Sequence, residues 1–448
     1  MSPLVLHSRR RLTPPAAVAL GFLALIAAGT LLLSLPFCSW HGHLGLVDAL
    51  FTATSAACVT GLTVVDTGSH FSPAGKLVLL LLFQIGGLGI LTVSSVFALL
   101  ARRDLGMGHR FTLSEDLRTG GIHGLRRLLL GVVSFTLLIE GLGALLLHLS
   151  AGPGLGAGRH RAFAAVFHSV SAFCNAGFSL YPDSLARFLE RPLALLSVAL
   201  LVMLGGLGFL LSFEILGRLR RRPRRRHFSV QGRIVLVGSL VLWLGGTLLF
   251  LWTERNGALA QQSPGRQLLM AFFQSVTCRT AGFDVFAQGL LSPAGTLGSL
   301  LLMFIGAAPG STGGGVKVST VILVLLLLRG YFAGRIRVDV AGRSIPDTVL
   351  REALAVMSAG LVMVVLGTLL ILLTAHVALD RAAFEVVSAF GTVGLGVGLS
   401  AELGPAGKLL LVVIMFCGRV GLLTVALGLA GGWRERHFQL PPEAPMVG

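Results

Sequence analysis

A half-length apolar segment ending in a glycine occurs four times along this chain, and that repetition restricts the fold more than any other feature. The segments read FTATSAACVTGLT (Phe51 to Thr63), FHSVSAFCNAGFS (Phe167 to Ser179), FQSVTCRTAGFD (Phe273 to Asp284, preceded by Phe272) and FEVVSAFGTVGLG (Phe384 to Gly396). Phe51, Phe167, Phe272 and Phe384 each stand ten residues before Gly61, Gly177, Gly282 and Gly394, and these glycines are 116, 105 and 112 residues apart. A large apolar residue follows each one: Leu62, Phe178, Phe283 and Leu395. A second match lies 24 to 28 residues further on, at GGLG (Gly86 to Gly89), GGLG (Gly205 to Gly208), GAAP (Gly306 to Pro309) and GRVG (Gly418 to Gly421). Pro73, Pro293 and Pro405 open a Pro-Ala-Gly before that site, as proline does at a first helical turn; Pro192 of the second repeat falls later.

Between these segments lie long apolar stretches. The chain is 54% hydrophobic and 12% charged, too few charges to solvate so much apolar surface. Eight candidate spans, about 15–36, 76–101, 126–149, 192–216, 232–253, 294–328, 350–379 and 407–431, are long enough to cross the roughly 30 Å hydrocarbon core. The first follows Arg9 to Arg11 but is long and lacks a small-x-small cleavage site, so it reads as a retained helix. A net charge of +17 would fit a nucleic-acid partner, yet 24 of the 36 Lys and Arg are arginines confined to alternate loops. That bias puts both termini in the cytoplasm and excludes a nucleic-acid role. The tract Arg218 to Arg226 reads as a solvated inner loop.

Each repeat is then a long helix, a short re-entrant helix, an extended glycine-bearing segment and a second long helix: an all-α integral membrane protein with eight transmembrane helices around one pore. Non-helical backbone at membrane depth is tolerated only where it lines a cavity or is buried in protein. A helix C-terminus carries about half a negative charge, so four short helices pointing inward favour a cation on their common axis. The carbonyls that follow have no helical partner and can replace an ion's hydration shell. One glycine per repeat, rather than a run like TVGYG, implies fewer coordination rings and looser selectivity. Candidate cation-binding residues are Thr60, Gly61, Asn175, Ala176, Gly177, Thr280, Ala281, Gly282, Thr392, Val393 and Gly394, with the ion on the carbonyls of the four glycines.

Other chemistry finds little support. Cys38, Cys58, Cys174, Cys278 and Cys417 have no metal-ligand spacing. No P-loop or strand-linked GxGxxG occurs. His148, His168 and His376 have no acidic partners in register, so a membrane enzyme is not expected. The main alternative is a secondary transporter of another cation or small solute with discontinuous helices, although such folds usually carry two repeats.

The segments VTGLT (Val59 to Thr63), NAGFS (Asn175 to Ser179), RTAGFD (Arg279 to Asp284) and TVGLG (Thr392 to Gly396), with GSTGGGVK (Gly310 to Lys317) and the lone Arg419, resemble the Trk/Ktr/HKT superfamily of potassium transporters over about residues 13–432. The match is best to the Ktr-type membrane subunit, because the two extra N-terminal helices usual in Trk-type subunits have no counterpart. Sodium-preferring plant relatives can carry serine at the first filter position, so Gly61 points to potassium. Gly396 departs from a common serine-like position. The resemblance implies potassium uptake at the cell (inner) membrane through a selectivity filter, often coupled to sodium. It also implies a homodimer and a cytosolic nucleotide-binding regulatory ring subunit. No cofactor is expected on this chain; K+, with Na+ as a second candidate, is the transported ion.

The second span of repeat three is interrupted. Pro309 removes a backbone donor, and glycines at 306, 310 and 313–315 disfavour a helix. The resemblance implies an intramembrane loop over 306–317 that obstructs the pore, with Gly306, Pro309, Gly310, Ser311, Thr312, Gly313, Gly314, Gly315 and Lys317 as gate residues and Ser311 and Thr312 facing water. Arg419, alone in an apolar run, faces the pore under the filter, repelling cations or hydrogen-bonding the loop's carbonyls; the alternative is a salt bridge to a buried acid elsewhere, Glu140 being the only other obvious mid-span charge. Asp66 and Asp284 are candidate outer-vestibule acids, while Asp48 and Glu385 are equally candidates for helix caps. The expected divisions are a cytoplasmic N-terminus 1–12, repeats 13–103 and 104–217, a basic linker 218–230, repeat 231–329, a linker 330–348, repeat 349–432 and a cytoplasmic tail 433–448.

Overall fold

The computed structural model describes residues 14–40, 42–100, 116–156, 158–219, 228–334 and 337–421. Both termini lie outside the described residues, as do Arg9 to Arg11, Arg102, Arg103, Arg110, Arg220 to Arg226, Arg335, Arg434, Arg436 and the end of the 407–431 span. Within them the chain is an almost entirely helical membrane protein, and each repeat follows one order of elements. Repeat one has α1 (Pro14–Leu33), the short α2 (Leu46–Ala57), a turn α3 (Thr67–His70) and α4 (Pro73–Leu100). Repeat two has α5 (Asp116–Ser150), the short α6 (Gly158–Phe173), α7 (Pro192–Leu207) and α8 (Phe209–Leu219). Repeat three has α9 (Val230–Thr253), the short α10 (Pro264–Thr277), α11 (Pro293–Phe304) and α12 (Val318–Phe332). Repeat four has α13 (Asp347–Ala375), the short α14 (Leu379–Gly391), a turn α15 (Leu399–Glu402) and α16 (Pro405–Val420).

Among the described residues, four helices are long and apolar enough to cross a membrane: parts of α1, α5, α9 and α13. Their outward leucines, such as Leu137 and Leu138 on α5 and Leu361 and Leu366 on α13, are exposed, as a lipid-facing surface requires. Pro73, Pro192, Pro293 and Pro405 each open the helix that follows the glycine segment, so the second repeat keeps the proline rule after all.

Two expected spans differ from the structure. The span 192–216 is bent by 102° between α7 and α8. The bend falls at Gly208, whose φ of 82° suits glycine, and the freed amide of Phe209 donates to Gly310 O at 3.2 Å. The span 294–328 is two helices separated by the loop 305–317, as its proline and glycines require. A further departure from an all-α chain is the small hairpin β1 (Asp339–Val340) and β2 (Arg343–Ser344), turned by Ala341 and Gly342, both at positive φ.

The second glycine match has a packing role. A Cβ at Gly86, Gly205 or Gly418 would fall under 3.0 Å from the carbonyl oxygen of Ala57, Phe173 or Phe390, at the C-terminal end of the short helix of the same repeat. Glycine thus lets each second helix touch the end of a short helix. Aromatic contacts join the repeats laterally: Phe83 of α4 lies 5.4 Å from Phe167 and 6.0 Å from Phe178, and Phe304 stacks on Phe390 at 5.8 Å. The Gly205→Ala variant should lose about 2 kcal/mol through this clash. Gly245, inside α9, has open space around it, so Gly245→Ala should not lower the thermal unfolding temperature in detergent and should raise it slightly.

Candidate functional site

The four repeat glycines meet. Gly61, Gly177, Gly282 and Gly394 have φ values of 96°, 69°, 77° and 94°. The residue two places earlier is also left-handed each time: Val59, Asn175, Thr280 and Thr392. A Cβ on Gly61 would lie 3.0 Å from the Cα of Gly177; on Gly177, 3.0 Å from that of Gly282; on Gly282, 3.1 Å from that of Gly394; on Gly394, 3.0 Å from that of Gly61. The series closes into a ring. The same atoms would press under 3.0 Å on the carbonyl oxygens of Ala176, Ala281, Val393 and Thr60, so those oxygens turn inward beside the ring. The ring therefore admits no side chain, and it gathers backbone oxygens from all four repeats at one place. Such a cluster suits a cation rather than an anion.

Sequence reading missed what holds the ring. The amide of Gly61 donates to Ser55 Oγ at 3.0 Å, and that of Gly394 to Ser388 Oγ at 3.1 Å. Ser171 Oγ donates to Phe178 O at 2.8 Å, and Thr277 Oγ1 to Phe283 O at 2.8 Å. These hydroxyls stand at one structural register. Ser55, Ser171 and Ser388 precede their glycines by six residues and Thr277 by five. The third repeat is therefore one residue short. Its buried phenylalanine is Phe273, 1% exposed, and not the half-buried Phe272 that the ten-residue spacing selects. The repeated hydroxyl after Phe-x-x-x was the signal available in the sequence.

Beneath the ring lies the loop of repeat three. Gly314 N donates to Thr392 Oγ1 at 3.0 Å, and a Cβ on Gly313 would collide with Thr280 Oγ1. Ala308 N and Thr312 N donate to Gly206 O and Gly205 O, and Gly315 N to Gly418 O. Gly306 N donates to Val316 O, closing the loop at its neck, so Gly306 packs on its own loop where its counterparts pack on a short helix. Ser311 and Thr312 do not face water: they are 3% and 0% exposed. Ser311 donates to Ala308 O, and Thr312 Oγ1 donates to Phe173 O at the end of α6. The hydroxyls are used to tie a helix-free backbone down.

Three cations, Arg419 and Arg279 buried and Lys317 half-buried, hold loop carbonyls. Arg419 donates to Thr312 O and, at 2.6 Å, to Gly86 O. Lys317 Nζ donates to Gly313 O at 2.6 Å. Arg279, 4% exposed, reaches Gly306 O at 3.4 Å and lies over Trp243. Arg419 thus takes the loop-bonding alternative. Glu140 instead accepts from Gln84 at 3.1 Å. In the converging segments, the side chains of Asn175 and Thr280 pair at 3.1 Å.

Of the acids, Asp66 caps α3 through Ser69 N, and Asp48 pairs with Lys408 at 2.7 Å, joining α2 to α16. Asp284 lies two residues past the ring, in the segment 278–292 outside the spanning helices. Burial pushes its carboxyl up to about 7, while the hydrogen bond from Gln288 pulls down and the charge of Glu385 pushes up. No group of three or more His, Cys, Asp or Glu side chains able to hold a metal occurs among the described residues.

Comparison with known proteins assigns the class. The profile of the TrkH family, described as cation transport protein, matches residues 6–431. The chain belongs to that family. It is 38% identical over 422 residues to the Ktr system potassium uptake protein B of Bacillus subtilis, covering 94% of each chain. It is 36% identical over 448 residues to the potassium/sodium uptake protein NtpJ of Enterococcus hirae, covering 98% of each. In fold it is similar to the crystal structure of the potassium transporter TrkH from Vibrio parahaemolyticus, with a TM-score of 0.75 and 23% identity over 94% of this chain and 86% of that one. The Ktr-type resemblance read from the segments around the ring is thereby met.

Ser55→Ala and Ser388→Ala should each leave a buried glycine amide without an acceptor and cost about 1–3 kcal/mol. Thermal unfolding in detergent measures this; wild-type stability in both would contradict the bonding described.

Proposed function

We propose that the chain is the ion-translocating subunit of a potassium uptake system, conducting K+ through one pore enclosed by its four repeats. The closed ring of four glycines carries the reading. The eight membrane-crossing units, at the repeat boundaries 13–103, 104–217, 231–329 and 349–432, surround a single axis, and both termini are cytoplasmic. The ion sheds water onto carbonyl oxygens at Gly61, Gly177, Gly282 and Gly394 and at the residues before them. Thr60, Asn175, Ala176, Thr280, Ala281, Thr392 and Val393 complete the filter. Ring oxygens supply no proton chemistry, in keeping with relatives that are transport proteins.

The loop 306–317 is the gate. It lies under the ring and is tied by bonds from Arg419 and Lys317. Opening it requires those bonds to break together, and a cytosolic nucleotide-binding ring subunit, acting on a homodimer in the cell (inner) membrane, is the agent proposed to do so. Sodium stimulates this uptake, as the family resemblance implies. Asp284 raises the local concentration of cations at the outer mouth.

The test uses cells without their own potassium uptake, grown at low external potassium with this chain and its regulatory partner. Wild type should restore growth. Gly282→Ser, with a side chain where the ring has no room, should abolish growth or admit sodium. No flux of any alkali cation by a protein present in the membrane would overturn the reading. Arg419→Ala should raise uptake without the partner by about tenfold, since two carbonyl contacts that hold the loop are lost. Asp284 is neutral below about pH 7 and charged above it, so potassium uptake at low concentration should fall about twofold from pH 8 to pH 6. Asp284→Asn should flatten that profile.

A further inference from the structure

Each short helix carries a polar side chain one residue after its buried phenylalanine: Thr52, His168, Gln274 and Glu385. All four are 0–1% exposed. Polar groups packed this deeply are costly unless bonded. Three of them bond the chain just past the ring. Gln274 Nε2 donates to Gln288 Oε1 at 2.7 Å, and Gln288 in turn donates to Asp284 at 2.7 Å. Glu385 accepts from Ser400 N at 2.7 Å and Val397 N at 3.3 Å. His168 bonds Ala164 O through Nδ1, which puts its proton there and leaves Nε2 to accept from Ser179 Oγ at 3.1 Å and Leu180 N at 3.4 Å. Thr52 differs: its hydroxyl donates to Asp48 O of its own helix.

The braces are chemically unlike but occupy one register and one role. Each ties the extended chain leaving the ring to the short helix of the same repeat that leads into it. Selectivity between a larger and a smaller cation depends on cavity size and on the number and field of the ring carbonyls. A ring whose outgoing strands are tethered to fixed helices resists contraction. We infer that His168, Gln274 and Glu385 are positioning residues that set the potassium preference of the ring by holding its outgoing strands, with repeat one, where Thr52 makes no such tie, as the compliant quarter. The inference rests on the transport reading above.

The full chain reconstituted in lipid vesicles provides the test, through the ratio of initial potassium to sodium uptake rates. Gln274→Leu and Gln288→Leu both remove the bond between these two side chains, the second together with the bond to Asp284, and each should lower that ratio by at least about fivefold, the worth of one typical hydrogen bond. Glu385→Ala should lower it as well, and Glu385→Gln, which keeps an oxygen acceptor, should lower it less. Should Gln274→Leu fail to accumulate, Gln288→Leu decides, because it leaves the short helix intact. A wild-type ratio in both Leu variants, whatever their stability, would make the braces merely structural and overturn the inference. A wild-type chain that passes neither ion would refute the transport reading itself.

Discussion

Four strands of backbone meet at one point inside an apolar protein, and no atom beyond Cα fits where they touch. Everything else follows from that contact. It requires glycine at Gly61, Gly177, Gly282 and Gly394, because a Cβ on any one would press on the backbone of the next. It requires left-handed backbone just before each glycine, which ends the short helix and frees its last carbonyls. Freed polar backbone cannot stay unpaired in a nonpolar interior. The hydroxyls of Ser55, Ser171, Thr277 and Ser388 bond it on the helix side, leaving oxygens turned toward the axis.

The second constraint is that four similar repeats must accommodate one loop beneath the ring. The third repeat departs, with one residue fewer between its hydroxyl, Thr277, and its glycine, and with a broken second helix. The loop so produced fills the space below the ring and displaces its neighbours. Gly208 bends repeat two by 102° to give Phe209 N to the loop, and Gly421, at φ 93°, ends α16 beside Arg419. Arg419 occupies the slot that Gly87 and Gly206 hold in the first two repeats. A guanidinium fits there because two carbonyls, of Thr312 and Gly86, receive it. The charge is thus buried without a carboxylate, and moving the loop costs it one of its acceptors.

Much of this was legible in the sequence, and the reasons differ from place to place. The ring glycines and the helix-opening prolines show because each is demanded by local backbone geometry, which leaves a residue type at a fixed position. The broken helix shows for the same reason, through Pro309 and its glycines. The register of repeat three did not, because two adjacent phenylalanines, Phe272 and Phe273, offered the spacing twice and only packing distinguishes them. Contacts distant in sequence were out of reach as well. The broken backbone and the polar side chains of Ser311 and Thr312 implied water-facing groups, yet Thr312 bonds Phe173, 139 residues away. Likewise Glu385, equally an outer acid or a helix cap by sequence, clamps the strand that leaves the ring.

The four glycines are proposed to enclose a cation site. A crystal of the protein grown in rubidium, an ion close to potassium in size and visible by its anomalous scattering, tests it most directly. A peak inside the ring, within bonding distance of carbonyl oxygens from all four repeats, is the predicted result. Rubidium bound elsewhere, with the ring empty or with oxygens from fewer than four repeats around the ion, would contradict it.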